Sequence, residues 1–160
     1  MTVDSGMFRE AMSRLGMSVH VITSAGPAGR CGITATAVCP VTDAPPTMLV
    51  CINRGSDLNA VFKQNGVYCV NTLAAEHLEL SNIFAGSTGA AMAERFGAGR
   101  WRSLETGAPV LADAVVSVDC RISDIKEVGT HSVLYGTVEA VRHGAARAAL
   151  VYLQREYRSL

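Results

Sequence analysis

The sequence predicts an antiparallel β-barrel decorated with short helices, and two observations lead to this prediction. About six or seven apolar segments of strand length are separated by turn residues, without the regular strand–helix–strand alternation of a parallel sheet. The chain has 160 residues, of which 49% are hydrophobic and 18% charged, so a packed core is expected and disorder is not. We therefore expect residues 1–160 to form a single domain.

The first half of the chain is predicted to contain helices at 5–15 and 57–64, strands at 19–24, 31–39, 47–53 and 67–71, and a proline-containing loop at 40–46. Ser5 is a candidate N-cap of the first helix, and Gly16 ends it. The turn-rich segment AGPAGR joins the first two strands as a hairpin. Ser56 is predicted to cap the second helix, which ends at Gly66.

The second half is dominated by strands. Helices are predicted at 74–84 and 89–96, and strands at 114–127, 132–142 and 148–154. The small residues Ala85, Gly86 and Ser87 separate the two helices, and residues 128–131 form a turn between the first two of these strands.

Composition excludes several classes of partner. Fourteen basic residues balance fourteen acidic ones, so no net charge attracts the chain to nucleic acid or to an anionic membrane. No apolar stretch approaches the length that crosses a bilayer, and the segment MTVDSGMFRE lacks the pattern of a signal peptide. Because so small a chain is both uncharged overall and rather apolar, we expect it to bury part of its surface in a homodimer.

The five cysteines form no CxxC pair, and most of them lie within apolar segments, where they are expected as buried thiols. This usage predicts a reducing, cytoplasmic environment.

Several common catalytic motifs are missing from the sequence. It has no GxGxxG after a strand, no GxxxxGK[ST] and no GxSxG, which argues against a doubly wound dinucleotide domain, a phosphate-binding P-loop and a serine hydrolase. The four histidines are far apart and lack metal-ligand spacing, so we expect no metal site.

The segment 32–38 lies in an apolar strand but carries small and hydroxyl-bearing residues. A flat ligand can approach the backbone of such a segment and meet the hydroxyl groups of Thr34 and Thr36. A strand with one threonine face in solvent explains the same residues, so this segment alone leaves both interpretations open.

A second polar segment, 51–56, ends a buried strand with Asn53, Arg54 and Ser56. The free amides of a helix N-terminus beside an arginine form an anion site. Ordinary capping by Ser56 and a solvated Arg54 are the alternative.

Two further positions are candidates for ligand contact. His131 lies at a strand turn, where it can face a cofactor or a second nucleotide. The break at Ser81, Phe84, Ala85 and Gly86 either admits the edge of a ligand or ends a turn. The candidate residues include hydroxyls, amides and one arginine but no credible nucleophile or paired carboxylates. Such a set suits a protein that positions a cofactor whose own chemistry does the work.

Five segments carry a resemblance to a known family: GRCGITATAVCPVTDAPP at 29–46, LVCINRGS at 49–56, NGVYCVNTL at 65–73, FAGSTGAAMAERF at 84–96 and VGTHSVLYG at 128–136. They resemble, in order and over nearly the whole chain, the short-chain flavin reductases, which deliver reduced flavin to two-component monooxygenases. Two branches of that family, serving 4-hydroxyphenylacetate oxidation and pyrimidine degradation, are equally similar.

The resemblance implies a mainly β fold with helices, a Greek-key split β-barrel of the FMN-binding type. It also implies a homodimer that reduces FMN or FAD with NADH or NADPH and supplies the reduced flavin to a monooxygenase. The flavin-binding residues that it implies are Thr34, Ala35, Thr36, Ala37, Asn53, Arg54, Ser56, Ser81, Phe84, Ala85, Gly86, His131 and Tyr157. Arg54 and Ser56 are expected nearest the phosphate, and His131 on the nicotinamide side as the catalytic residue. Thr130 stands where the family more commonly has an aspartate.

Two other functions fit the same residues. The barrel could bind flavin or haem without catalysis, since folds of this shape can also store or sense a cofactor. Alternatively, Cys31 or Cys51, which lie beside the expected pocket, could carry thiol redox chemistry. NADH oxidation in the presence of free FMN separates the first alternative from the enzyme, and Cys→Ser variants test the second.

Overall fold

A computed structural model describes residues 2–160. Its strands are β1 (Met17–Ser18), β2 (His20–Ser24), β3 (Cys31–Ala35), β4 (Val38–Asp43), β5 (Pro46–Asn53), β6 (Val67–Thr72), β7 (Trp101–Arg102), β8 (Val110–Leu111), β9 (Val116–Val128), β10 (His131–His143), β11 (Leu150–Leu153) and β12 (Glu156–Ser159). Its helices are α1 (Ser5–Ser13), α2 (Leu58–Asn65), α3 (Leu78–Phe84), preceded by a 3₁₀ turn at Ala75–His77, and α4 (Met92–Arg95).

Seven strands form one antiparallel sheet in the order β3-β2-β6-β9-β10-β5-β4. Its two edge strands, β3 and β4, are consecutive in the chain and are joined only by Thr36 and Ala37. Since neighbouring Cα atoms are about 3.8 Å apart, this link holds the ends of the two edges within roughly 11 Å. The sheet must therefore curl into a barrel, which stays open between β3 and β4 because those strands do not pair.

A second, three-stranded sheet, β1-β11-β12, lies beside the barrel. It is joined to the barrel through Val19, whose N–H donates to Leu150 O at 3.0 Å and whose carbonyl accepts from Leu73 N–H at 2.9 Å. Residues from both sheets and from α3 form one hydrophobic core, in which Phe84 packs edge-to-face against Phe96 and Trp101. None of the helices in the described part of the chain has the length and hydropathy needed to cross a membrane.

The barrel interior is a separate core around Tyr68, which is fully buried on β6. Its hydroxyl donates to Met48 O on β5 at 3.0 Å, so the side chain spans the barrel. The opposite wall makes room for the ring at Gly136 of β10, where an added Cβ would lie 2.5 Å from the Tyr68 hydroxyl oxygen and 2.8 Å from Cys120 Cβ. Gly136 and Tyr68 therefore fix β10 in one position across the barrel.

The structure corrects three predictions in the first half. Asp4, not Ser5, caps α1, since its Oδ1 accepts from Met7 N–H at 2.8 Å. The single strand predicted at 31–39 is interrupted by the two-residue link. The prediction of a loop at 40–46 is wrong, because β4 continues to Asp43. Pro40 is tolerated in this strand because β4 lies at the edge of the sheet.

In the second half the C-terminal hairpin was missed. A single strand was predicted at 148–154, whereas β11 and β12 form a hairpin whose turn residues, Gln154 and Arg155, have φ of 53° and 64°. Such turns usually carry glycine or asparagine, so the sequence contains no turn signal here. The helix predicted at 89–96 is reduced to Met92–Arg95, and the short strands β1, β7 and β8 were not predicted.

The contact between Gly136 and Tyr68 gives a stability prediction. Gly136→Ala is expected to lower the free energy of unfolding by about 1–3 kcal/mol, because the methyl group cannot fit without moving Tyr68 or β10. Urea unfolding measures the change. Gly16→Ala is the control, since its Cβ would meet Val151 Cγ1 at an ordinary 3.7 Å; equal losses in the two variants would contradict the packing argument.

Candidate active site

A cavity of about 580 Å³ lies at the open side of the barrel, between β3 and β5. Its walls come from β3 and the link after it, the end of β5, the start of β10, the segment following α3, and the β11–β12 hairpin. The lining residues are Val19, Ile33, Thr34, Ala35, Thr36, Ala37, Cys51, Ile52, Asn53, Asn82, Ala85, Ser87, His131, Tyr152, Arg155, Glu156 and Tyr157. Eight of the thirteen residues expected to contact flavin are therefore brought together here: Thr34, Ala35, Thr36, Ala37, Asn53, Ala85, His131 and Tyr157.

One wall is fixed by hydrogen bonds between distant segments. Thr34 Oγ1 on β3 donates to Ser81 O on α3 at 2.6 Å, and Ser81 Oγ donates to the Tyr157 hydroxyl oxygen on β12 at 2.8 Å. Gly32 permits this close approach of α3, since a Cβ there would lie 2.7 Å from Phe84 Cε1. Ser81 is fully buried, so it acts on the cavity through Tyr157.

Three residues that line the cavity carry hydrogen-bond donors without a partner among residues 2–160. The backbone N–H groups of Thr36 and Ala37 donate to no other residue within 2–160, because the strand ladder is interrupted there. Asn53 Oδ1 accepts from Gly55 N–H at 2.8 Å, which leaves the NH₂ group of Asn53 as its remaining donor. The cavity thus presents donors beside small side chains, an arrangement that suits a flat ligand with acceptor atoms on its edge.

A second cavity, of about 310 Å³, adjoins the first and shares Ile33 and Ala85 with it. It contains three more of the expected residues, Ser56, Phe84 and Gly86. Arg95 of α4, which the sequence did not suggest, also lines this cavity. Its Nε donates to Ala90 O at 2.9 Å, which holds the guanidinium in place. The lining of this cavity thus includes the hydroxyl of Ser56 and the guanidinium of Arg95, which suit an anion, together with the carboxylate of Asp57, which opposes one.

Arg54 lies outside both cavities. Its Nε is 3.1 Å from Glu127 Oε2, and its Nη1 donates to Gly129 O at 3.1 Å. The guanidinium is thus engaged by the hairpin that carries His131, and the structure does not bring it to the anion site where the sequence had placed it.

Cys51 lines the main cavity, but burial, followed by the nearby Cys39, raises its pKa above the ordinary value. Burial likewise raises the pKa of Cys31 to about 12. Both thiols therefore stay protonated at neutral pH, which disfavours them as nucleophiles or redox groups.

Sequence reasoning missed one side of the cavity. Tyr152, Arg155 and Glu156 come from the unpredicted β11–β12 hairpin. Arg155 Nη2 is 2.8 Å from Glu10 Oε2 of α1, so the positive charge of Arg155 at this side of the cavity is paired with a carboxylate. Asn82 of α3 and Ser87 of the small-residue break after it also line the cavity, although neither was among the expected contact residues.

Glu76, His77 and Asp113 have potential metal-ligand atoms within 4.8 Å of one another. However, His77 Nδ1 accepts from Ala74 N–H at 3.0 Å, so the proton of the neutral ring lies on Nε2. That atom faces Asp113 Oδ1 at 3.5 Å, and Glu76 is paired with Arg147. We therefore assign this group to helix capping and charge pairing, because its imidazole has no free lone pair for a metal.

Comparison with known proteins places this geometry in a family. A family model described as "Flavin reductase like domain" matches residues 12–160. The chain belongs to this family. One relative, "FMN reductase (NADH) RutF 1" of Methylorubrum extorquens, is 56% identical over 99% of this chain and 78% of its own length. Another, "FMN reductase (NADH) RutF" of an Escherichia coli O127:H6 strain, is 51% identical over 99% of this chain and 95% of its own length.

Solved structures agree with this assignment. Flavin reductase PheA2 is 26% identical, with a TM-score of 0.89 over 99% of both chains. BorF, the flavin reductase component of a bacterial two-component tryptophan halogenase, is 26% identical, with a TM-score of 0.90 over 98% of both chains. The family resemblance and the predicted fold class, a mainly β split barrel, are thereby confirmed.

The bond between Ser81 and Tyr157 gives a second prediction. Tyr157→Phe is expected to lower the free energy of unfolding by about 1 kcal/mol, because the buried Ser81 Oγ loses its acceptor. Adding Ser81→Ala to that variant should bring little further loss, since the two residues share one bond. Urea unfolding of the single and double variants measures this coupling.

Tyr135→Phe is the control, since the Tyr135 hydroxyl bonds to no other side chain or carbonyl within residues 2–160, and the contact of Lys126 Nζ, 5.8 Å from the ring centroid, is with the ring that phenylalanine retains. Strictly additive effects of Tyr157→Phe and Ser81→Ala would show that the bond does not form.

Proposed function

We propose that this chain is an NADH:FMN oxidoreductase that reduces free flavin, with residues 1–160 acting as a single flavin reductase-like domain. The observation that carries the proposal is the cavity at the open side of the barrel, with its small side chains and free donors. The relatives named FMN reductase (NADH), at 51–56% identity, support FMN and NADH as the pair of substrates.

The residues present fit a flavin. We propose that Thr34, Ala35, Thr36 and Ala37 line the isoalloxazine ring, whose carbonyl and nitrogen acceptors match the free N–H groups of the last two. Asn53 adds its NH₂ group, and Ala85 and Tyr157 close the sides. We propose that Ser56 and Arg95 hold the phosphate, in the adjoining cavity that Phe84 and Gly86 help to form.

The redox chemistry belongs to the flavin, which takes up a hydride from reduced nicotinamide. The chain's own part is to bind and orient the two reactants, because such a transfer depends on close placement more than on acid–base help. His131 lines the cavity, and its Nδ1 lies 2.9 Å from Thr130 Oγ1. This contact leaves Nε2 as the ring atom available to a ligand, and we propose that His131 orients the nicotinamide carboxamide or donates to the reduced ring.

We propose that the reduced flavin passes to a separate flavin-dependent monooxygenase. The cavity is open to solvent, so flavin can enter and leave it as a substrate. That BorF is one component of a two-component system is consistent with this arrangement.

We also propose a homodimer in the cytoplasm. The exposed apolar side chains of α1 and the residues after it, Met7, Phe8 and Leu15, are 51–57% accessible and offer a surface for a second copy. Free thiols at Cys31, Cys39 and Cys51 suit a reducing compartment. Sedimentation at one constant mass of 16.9 kDa over a wide concentration range would contradict the dimer.

The activity is tested by mixing the purified chain with NADH and FMN. We expect the absorbance of NADH to fall only when both the protein and FMN are present, and FMN to bleach when oxygen is excluded. Flavin binding without NADH oxidation would instead identify a noncatalytic flavin protein. Cys51→Ser is expected to retain activity, and its inactivation would favour thiol chemistry.

His131→Ala tests the catalytic assignment. Because the imidazole orients a reactant, we expect kcat to fall about tenfold or more while the affinity for FMN changes less than about twofold. His143→Ala is the matched control, since His143 lies at the far end of β10. Wild-type turnover in His131→Ala would remove this role.

A further inference from the structure

Glu127, near the end of β9, is the centre of a cluster that reaches the proposed catalytic histidine. One of its oxygens, Oε1, is 2.6 Å from Lys63 Nζ. The other, Oε2, is 3.1 Å from Arg54 Nε and accepts from Ser132 Oγ at 2.8 Å. The hydrogen bond from Lys63, followed by that from Ser132, lowers the pKa of Glu127, so the carboxylate is charged at neutral pH. We call these four residues the Glu127 cluster.

Arg54 connects this cluster to the turn at Gly129 and Thr130. Its Nη1 donates to Gly129 O at 3.1 Å, and its backbone N–H donates to Thr130 O at 2.9 Å. The side chain and the main chain of one residue therefore hold both residues of the turn. Glu127 in turn fixes the guanidinium, because the Nε contact limits rotation of its plane.

Ser132 anchors the chain on the other side of His131. It is fully buried, and its Oγ accepts from Asn59 Nδ2 at 3.0 Å while donating to Glu127. Asn59 Nδ2 also donates to Ile52 O at 3.1 Å, which ties Ser132 to α2 and β5. His131 thus lies between a turn held by Arg54 and a serine held by Glu127.

We propose that Glu127 and Arg54 are positioning residues that hold His131 in the active cavity, and that Arg54 is not a ligand of the flavin phosphate. This inference rests on the proposed function for its kinetic consequence. Single ion pairs as exposed as these add little to stability, so the ordering of the turn is the main effect expected of the cluster. Arg54 uses Nε and Nη1 to bind the hairpin, whereas Arg95 lines the cavity that also contains Ser56.

The test compares Glu127→Gln and Arg54→Gln with Glu139→Gln. Glu139 of β10 is the matched control, since it pairs with Arg121 of β9 at 3.3 Å and its exposure is similar to that of Glu127, but it does not touch the turn. We expect Glu127→Gln and Arg54→Gln each to lower kcat about five- to tenfold with little change in the KM for FMN, and the double variant to be no worse than either single one. Glu139→Gln should behave as wild type.

The affinities for FMN and for riboflavin, which lacks the phosphate, distinguish a positioning role of Arg54 from direct contact with the phosphate. If Arg54 positions His131, Arg54→Gln weakens the binding of both flavins equally and by less than about twofold. If Arg54 instead binds phosphate, the variant weakens FMN alone, and the proposal is overturned. A lower kcat in Glu139→Gln, or an unchanged kcat in Glu127→Gln, also overturns it.

A measurement that needs no enzyme turnover tests the positioning of His131 independently of the proposed reductase activity. In protein labelled with ¹⁵N-histidine, the ring signals of His131, assigned with His131→Ala, are expected to shift or broaden in Glu127→Gln and Arg54→Gln but not in Glu139→Gln. A wild-type chain that fails to oxidise NADH would refute the reductase proposal alone. Unperturbed His131 signals in both cluster variants would refute the positioning role even if the enzyme is active.

Discussion

The two-residue link between β3 and β4 is the constraint on which the site depends. Thr36 and Ala37 are too few to let the edges of the seven-stranded sheet separate, yet they turn the chain so that the edges do not pair. The barrel is therefore curled but not closed, and the gap becomes a cavity. The interrupted ladder also leaves the N–H groups of Thr36 and Ala37 without partners among residues 2–160, so the feature that creates the space supplies its donors as well.

The facing wall depends on the register of β5 and β10. That register pairs His131 with Asn53, and these two residues line the cavity from adjacent strands. Because side chains alternate between the faces of a strand, a slip of β10 by one residue would turn His131 away from the face that carries Asn53. The fit of Tyr68 against Gly136, deep in the barrel, keeps the register, so a packing contact remote from the cavity determines which side chains enter it.

The sequence predicted the parts of the site whose signal is local. Thr34 to Ala37 and Asn53 interrupt or end apolar strands, and that contrast can be read from neighbouring residues alone. Tyr152 and Arg155 could not be predicted as site residues, because the turn between β11 and β12 has Gln154 and Arg155 at positive φ and lacks the glycine that is typical of such a turn. Local pattern also could not decide the partner of Arg54, since Glu127 is far away in the sequence and an anionic ligand would have attracted the same side chain.

The site thus combines two kinds of support. The wall formed by Thr34, Ser81 and Tyr157 is held by short bonds around a buried serine, which suits a surface that must present one shape to a flat ring. His131 lies on a hairpin end whose ties to Arg54 and Glu127 are partly exposed to solvent. Under the proposed function both supports serve one open cavity that two substrates enter and leave, because the wall would present one shape to the flavin while the Glu127 cluster would keep the imidazole oriented toward the nicotinamide.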